Sequence, residues 1–298
     1  MTPATHFGLL AQASESHFDF EEFGRTAAYF VGVLALVALA KLARDAIALR
    51  RGQKLSALVA DHNNTPIAVE MGGFALAMVL GLTGSLVVEP GAWWEEALGL
   101  LATGGIVFGV LLLNDQLVTR FLLAGLDCNK AVADDHNLAV AIVRAAGNVG
   151  AALALRGALG HESPLTERLV WVLIGQMAIV LMARGYQVMT PYDDAAEVRH
   201  KNAAAALPLA GMLLAVGVVV GAALTGEGHG LGEDLLAFAL DLGVSAVLVI
   251  VLRWAGDALL LPGTSFATEI ARDKNAGAGF IEASVYVAAA VAVAFFLN

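Results

Sequence analysis

A single cysteine in 298 residues, Cys128, excludes an intramolecular disulfide framework and any metal centre built from several thiolates. Charge is nearly as scarce: Asp, Glu, Lys and Arg make up 15% of the chain, where a soluble domain carries about 25%. The charge that exists is acidic, 27 against 17, and no basic stripe is left to neutralise phosphates, so nucleic acid is excluded as a partner. Soluble-enzyme signatures are missing as well: no Walker sequence, no GxSxG elbow, no GxGxxG after a strand and no HExxH helix. No segment outside the apolar stretches is large enough to house a cofactor. The sequence therefore reads as that of a non-enzyme with no cofactor and no metal site. What fills the chain instead is apolar: 58% hydrophobic residues and a mean hydropathy of +0.74, more than one soluble core can absorb. That is the composition of a multi-pass membrane protein, with the lipid bilayer as its first partner.

Crossing the hydrocarbon takes about 20 helical residues. Eight stretches qualify: 23–43, 65–88, 97–113, 138–155, 169–183, 203–224, 235–252 and 276–297. They are continuous in Ala, Leu, Val and Gly without two-residue alternation, which predicts helices and excludes a β-barrel. The expected fold is an all-α, eight-span helical bundle. The connections after the odd spans hold thirteen Lys and Arg, from Lys41 to Lys274; the opposite side keeps only Arg25, Arg156 and Arg168. The positive-inside rule then places those connections in the cytoplasm and both termini outside, with Trp93 and Trp94 at the outer interface. Residues 1–22 lack a basic n-region and carry Glu15, Asp19, Glu21 and Glu22, so they read as an acidic extracytoplasmic tail.

The even spans begin alike: Asp61-His-Asn-Asn64-Thr-Pro-Ile-Ala, Asp134-Asp-His-Asn137-Leu-Ala-Val-Ala, Arg199-His-Lys-Asn202-Ala-Ala-Ala-Ala and Arg272-Asp-Lys-Asn275-Ala-Gly-Ala-Gly. The asparagines stand 73, 65 and 73 residues apart, so Asn64 to Asn202 and Asn137 to Asn275 are both 138. A two-helix unit duplicated twice produces this spacing. The expected organisation is two pseudo-symmetric four-span halves, 23–160 and 161–298. All units then share one orientation, which disfavours an inverted-repeat transporter.

With these starts, and most clearly in Tyr186-Gln-Val-Met-Thr-Pro-Tyr-Asp-Asp-Ala-Ala-Glu-Val-Arg-His-Lys-Asn202 and Asn63-Asn-Thr-Pro-Ile-Ala, the chain resembles the bacterial inner-membrane family called domain of unknown function 350. A usual member looks like one four-span unit, and this chain resembles two in tandem. The resemblance implies a polytopic inner-membrane protein and supplies no activity and no catalytic residue.

Asn64, Asn137, Asn202 and Asn275 stand where helix N-caps belong. Alternatively, four helix N-termini could converge into an anion site. Intramembrane charge is the sharper signal, because it is costly. Glu70, Arg144, Asp241 and Glu282 lie within spans. Arg144 and Glu282 each follow their asparagine by seven residues and are 138 apart, so a twofold pseudo-axis would bring the two opposite charges together as a structural pair or as part of an ion path. Glu70 has Pro208 as its equivalent and hence no partner by symmetry. Asp115 and Arg253 are also 138 apart and also of opposite sign; at span ends they read as snorkelling residues, and Asp241 as one reaching the interface. His62, His136 and His200 lack ligand spacing and read as solvated linker residues. Gly105–Gly109 and Gly217–Gly221 have the spacing of close helix contacts. The functional expectation is conduction or transport of a small cation or proton, with Glu70 and Glu282 binding it and Arg144 gating it. The alternative is a non-conducting scaffold whose charges are structural and whose amphipathic linkers dock a partner protein.

Overall fold

Each even span starts from the same piece of backbone. The residue before the asparagine, Asn63, His136, Lys201 or Lys274, has φ between 49° and 63°, a left-handed turn that stops one helix and aims the chain into the next. The asparagine N–H then bonds back to the preceding linker helix, to Leu58, Ala131, Glu197 or Glu269. Its side-chain oxygen accepts from an N–H two or three residues on, at 3.0–3.2 Å, and caps the span.

A computed structural model describes residues 20–84, 92–225 and 229–297; the sequence expectations for the tail, for residues 85–88 and for the tips of two outer turns fall largely outside them. In chain order the helices are α1 (Phe20–Leu49), α2 (Leu55–Ala60), α3 (Thr65–Leu82), α4 (Trp93–Leu117, continued by a π turn over Val118–Leu122), α5 (Cys128–Ala133), α6 (Leu138–Gly160), α7 (Leu165–Met189), α8 (Asp194–Arg199), α9 (Ala203–Ala223), α10 (Leu231–Leu260) and α11 (Ala276–Leu297), with a π turn at Thr268–Arg272. Among the described residues eight helices are long and apolar enough to cross a membrane, and no strand is present. The protein is an all-α polytopic membrane protein. The first, third, fifth and seventh spans run longer than hydropathy alone suggests, because polar residues such as Arg44, Asp115 and Arg253 continue the helices.

The even spans pack side by side in the order α3, α6, α9, α11, and the odd spans lie over that row: α4 against α3 and α6, α7 against α6 and α9, α10 against α9 and α11, α1 against α3. Missing side chains permit the close approach. A Cβ on Gly73 would lie 2.5 Å from that of Ala145, one on Gly157 2.1 Å from the Gly221 carbonyl oxygen, and one on Gly217 2.4 Å from that of Gly150. Contacts advance in the same direction along both partners, so the even spans run parallel. Gly105 and Gly109 differ from their expectation: nothing approaches their Cβ positions, because they sit on the outer face of α4. The odd helices carry most of the apolar side chains left bare by the fold, including Phe30, Leu101, Leu181 and Leu236, and the two end spans of the row, α3 and α11, carry others such as Leu76 and Phe280.

Candidate functional site

The four asparagines do more than cap. The Asn64 amide donates to the Val132 and Ala133 carbonyls at the end of α5, Asn137 to Val198 and Arg199 at the end of α8, and Asn202 to Ile270. Each of these side chains ties its own span to the linker of the next one. The amide groups of these three are committed to backbone carbonyls, and that of Asn275 to the Glu269 carboxylate, which argues against a convergent anion site. His62, His136 and His200 are exposed, and among the described residues no cluster of three His, Cys, Asp or Glu could hold a metal ion.

The buried charges form two clusters, one in each half. In the first, Glu70 on α3 lies between two arginines: Arg44 of α1, and Arg144 of α6 at 3.1 Å. Arg144 also reaches Asp115 of α4 at 3.0 Å and the Asn129 side chain at 3.3 Å. Asn148 donates to Asp115 at 3.1 Å and accepts from Asn114 at 2.9 Å, and Arg44 covers the Phe74 ring. Two arginines and two carboxylates leave this cluster neutral. A cavity of about 80 Å³ reaches it, lined also by Arg51 and Gln53.

In the second cluster Arg253 of α10 meets Glu282 of α11 at 2.9 Å, and Tyr286 donates its hydroxyl to the same carboxylate. Arg253 stands over the Tyr186 ring, which packs edge-on against Tyr286 at 5.7 Å. From the linker side comes Asp194, the first residue of α8, which accepts the Thr190 hydroxyl at 2.5 Å and is 1% exposed. Burial pushes the Asp194 carboxyl up to about 7; the Thr190 bond and Arg253 pull it down, and Glu282 adds to the rise. The Tyr192 hydroxyl beside it is raised too, by burial first and then by Asp194 and Glu282. Two buried carboxylate oxygens here, Asp194 Oδ1 and Glu282 Oε2, have no hydrogen-bond partner, and the Tyr186 and Tyr192 hydroxyls face each other. One arginine against two carboxylates leaves the cluster with a deficit of one positive charge. Asp257, held by the Phe266 N–H at 2.7 Å, stands within electrostatic reach of Glu282 and deepens it.

Several expectations are corrected by this arrangement. Arg144 and Glu282 do not meet; each pairs inside its own half. Asp115 and Arg253 are not snorkelling residues but the partners of those two. Glu70, given no partner by symmetry, is ion-paired with Arg44 and Arg144 inside its own half, which overturns nothing in its expectation. Because Asp115 and Arg253 are equivalent, as are Arg144 and Glu282, the same odd-to-even ion pair is present in both halves with its polarity reversed. Asp241 is half-exposed on α10. Sequence reasoning passed over Asp194, Tyr192 and Tyr186 as site residues, although all three fall in the segment that carried the family resemblance most clearly.

A family model described as Domain of Unknown Function (DUF350) matches the chain twice, over residues 18–159 and 161–297. No curated protein and no solved structure matches it.

Proposed function

The chain belongs to the DUF350 family, as two tandem units, and we propose that its second unit binds a proton or a monovalent cation between Glu282 and Asp194, as a step in moving it across a bacterial inner membrane. The observation that carries this reading is the pair of partnerless buried carboxylate oxygens, Asp194 Oδ1 and Glu282 Oε2, in a cluster with more carboxylates than arginines. A proton or a small cation supplies the missing charge and accepts those lone pairs, whereas an anion would be repelled. Glu282 and Asp194 provide the charge. Tyr186 and Tyr192 provide neutral oxygens, and Arg253 keeps the site from binding too tightly to release. In this reading the basic linkers, by the positive-inside rule, put Asp194 on the cytoplasmic side and both termini outside. No chemistry on the cargo is involved, and the chain acts as a carrier or conductor and not as an enzyme.

A second reading, a non-conducting scaffold that docks a partner at the linkers, is favoured by the first unit. There the charges are balanced and act as ties between α1, α3, α4 and α6.

Flux separates the two. Purified protein in liposomes under an imposed potential, followed with proton- and potassium-sensitive dyes, should show flux that Glu282→Gln and Asp194→Asn abolish while Glu70→Gln leaves residual activity. Native protein that is folded and passes neither ion would sink the carrier reading and leave the scaffold.

A further inference from the structure

The row of even spans is open at both ends, and its two ends are the two halves of one interface. Three junctions inside the molecule, α3–α6, α6–α9 and α9–α11, are built alike. In each, the asparagine of the earlier span donates its amide to a carbonyl of the linker preceding the later span. The register recurs too: the ninth residue after the earlier asparagine meets the eighth after the later one at α3–α6 (Gly73 against Ala145) and α9–α11 (Gly211 against Ala283), and the twentieth meets the nineteenth at α3–α6 (Gly84 against Arg156) and α6–α9 (Gly157 against Gly221). The middle junction joins the two family units to each other. It is therefore already a contact between the back of one unit and the front of another.

At the ends the same groups are unused. Asn64, Asn137 and Asn202 are buried, but Asn275 is exposed. Asn202 donates both to Glu197 of its own linker and to Ile270 of the next, whereas Asn275 donates only to Glu269 of its own. The carbonyls in the receiving position at the other end, those of Val59 and Ala60, lie at the exposed end of α2. Ser284, ninth after Asn275, is exposed on α11; Gly72, eighth after Asn64, is exposed on α3, with nothing within 4 Å of its Cβ position. Ala68 and Gly277, the small residues beside them, are exposed too.

We infer that the chain associates head to tail with further copies of itself, α11 of one copy docking against α3 of the next and the Asn275 amide reaching the Val59 and Ala60 carbonyls. The occupant is a second copy because the face it must match is the one that α6 presents to α9 within the chain. Such a contact is heterologous: a surface patch meets a different patch, so the assembly closes as a ring or continues as a row. The inference is independent of what the second unit carries, and it holds for carrier and scaffold alike.

Cysteine cross-linking in native membranes tests it, since Cys128 is buried and serves as its own silent control. Differently tagged Gly72→Cys and Ser284→Cys chains are co-expressed and oxidised. The expected product is a mixed dimer carrying both tags, absent when either variant is expressed alone. A Ser284→Cys chain that cross-links to itself would indicate a twofold contact and overturn the head-to-tail arrangement, as would folded, co-expressed variants that give no mixed product. A second measurement does not depend on thiol geometry. The native chain in lipid nanodiscs or mild detergent should have an oligomeric mass, and Gly72→Trp, at a position where the monomer has open space, should reduce it to that of one chain. A native chain that stays monomeric across protein-to-lipid ratios refutes the inference.

Discussion

Exchanging the charges of the second ion pair tests whether the two halves hold the same bond in opposite senses. Arg253 and Glu282 sit at 2.9 Å, joining α10 to α11, as Asp115 and Arg144 join α4 to α6 at 3.0 Å. Glu282→Arg alone sets a second guanidinium against Arg253, and Arg253→Asp alone gathers carboxylates around a Glu282 side chain that is 1% exposed. Breaking a buried pair in this way costs about 3–5 kcal/mol for each variant. The double exchange recreates the polarity that the first half uses between equivalent positions, and it leaves the net charge around Asp194 unchanged. The double variant should lose no more than half of what either single loses, which corresponds to a coupling of at least about 4.5 kcal/mol in a double-mutant cycle. The assay is denaturant unfolding in detergent micelles, read by tryptophan fluorescence. A double variant as unstable as the sum of the two singles would show that the equivalence is numerical only, and that neither half shares a bond geometry with the other.

The remaining predictions probe other parts of the fold. Asp194 has a folded-state pKa of about 7 against an ordinary 3.8, so the folded chain holds a proton that the unfolded chain has released. Its contribution to stability is therefore complete below about pH 4 and declines as pH rises to about 7. Asp194→Asn should flatten that stretch of a melting-temperature-against-pH curve, and a curve of unchanged slope would place the proton elsewhere. Asn137→Asp keeps the cap oxygen but loses the amide that ties α6 to α8, and should cost about 1 kcal/mol; Asn137→Ala loses both and should cost about 2. Equal losses in unfolding experiments would mean the tie carries nothing. Gly157→Ala drives a methyl into the Gly221 backbone and should destabilise by several kcal/mol, whereas Gly105→Ala, open on α4, should stabilise by up to about 1 kcal/mol. Similar thermal stabilities for the two would refute backbone packing at α6–α9.

Much of the architecture is legible in the sequence because lipid enforces it: any backbone in hydrocarbon must satisfy its own polar groups, so apolar length translates directly into spans. The helix starts are legible for a related reason, since asparagine after a left-handed residue is a local signal that needs no tertiary knowledge. Pairing of charges is not local. Numbering places Arg144 and Glu282 at equivalent positions, and an axis between halves would join them, but the neighbour each finds is the odd span lying over its own even span. Asp194 is hidden for a different reason. An aspartate on a polar linker reads as solvated, and only the folding of Tyr186, Tyr192 and α11 around it takes it out of water. Gly105 and Gly109 show the converse: a spacing that permits close packing does not require it, because the partner must also be small.

Duplication explains why the two clusters differ without either being disordered. A tandem pair of equal units would carry the same ion pair twice, and an odd-to-even bond has the same geometry in either polarity, so reversing it in one unit costs little once both partners have changed. The surroundings then decide what each pair does. Around Arg144 the extra residues are one more arginine and one more acid, and the sum is zero. Around Glu282 the extra acids are Asp194 and, farther off, Asp257, and the other additions are tyrosines, which bring oxygen but no charge. The first unit is thereby balanced by its own counter-ions, while the second carries more carboxylates than arginines, the imbalance on which the proposed cation site rests. If copies join head to tail, each charge-deficient unit is followed by a balanced one. Along the row, binding sites then alternate with ties, and loading one site leaves the electrostatics of the next separated by a neutral four-span unit. Cooperative binding between sites would consequently need movement of the even-span row and not direct charge repulsion across the gap.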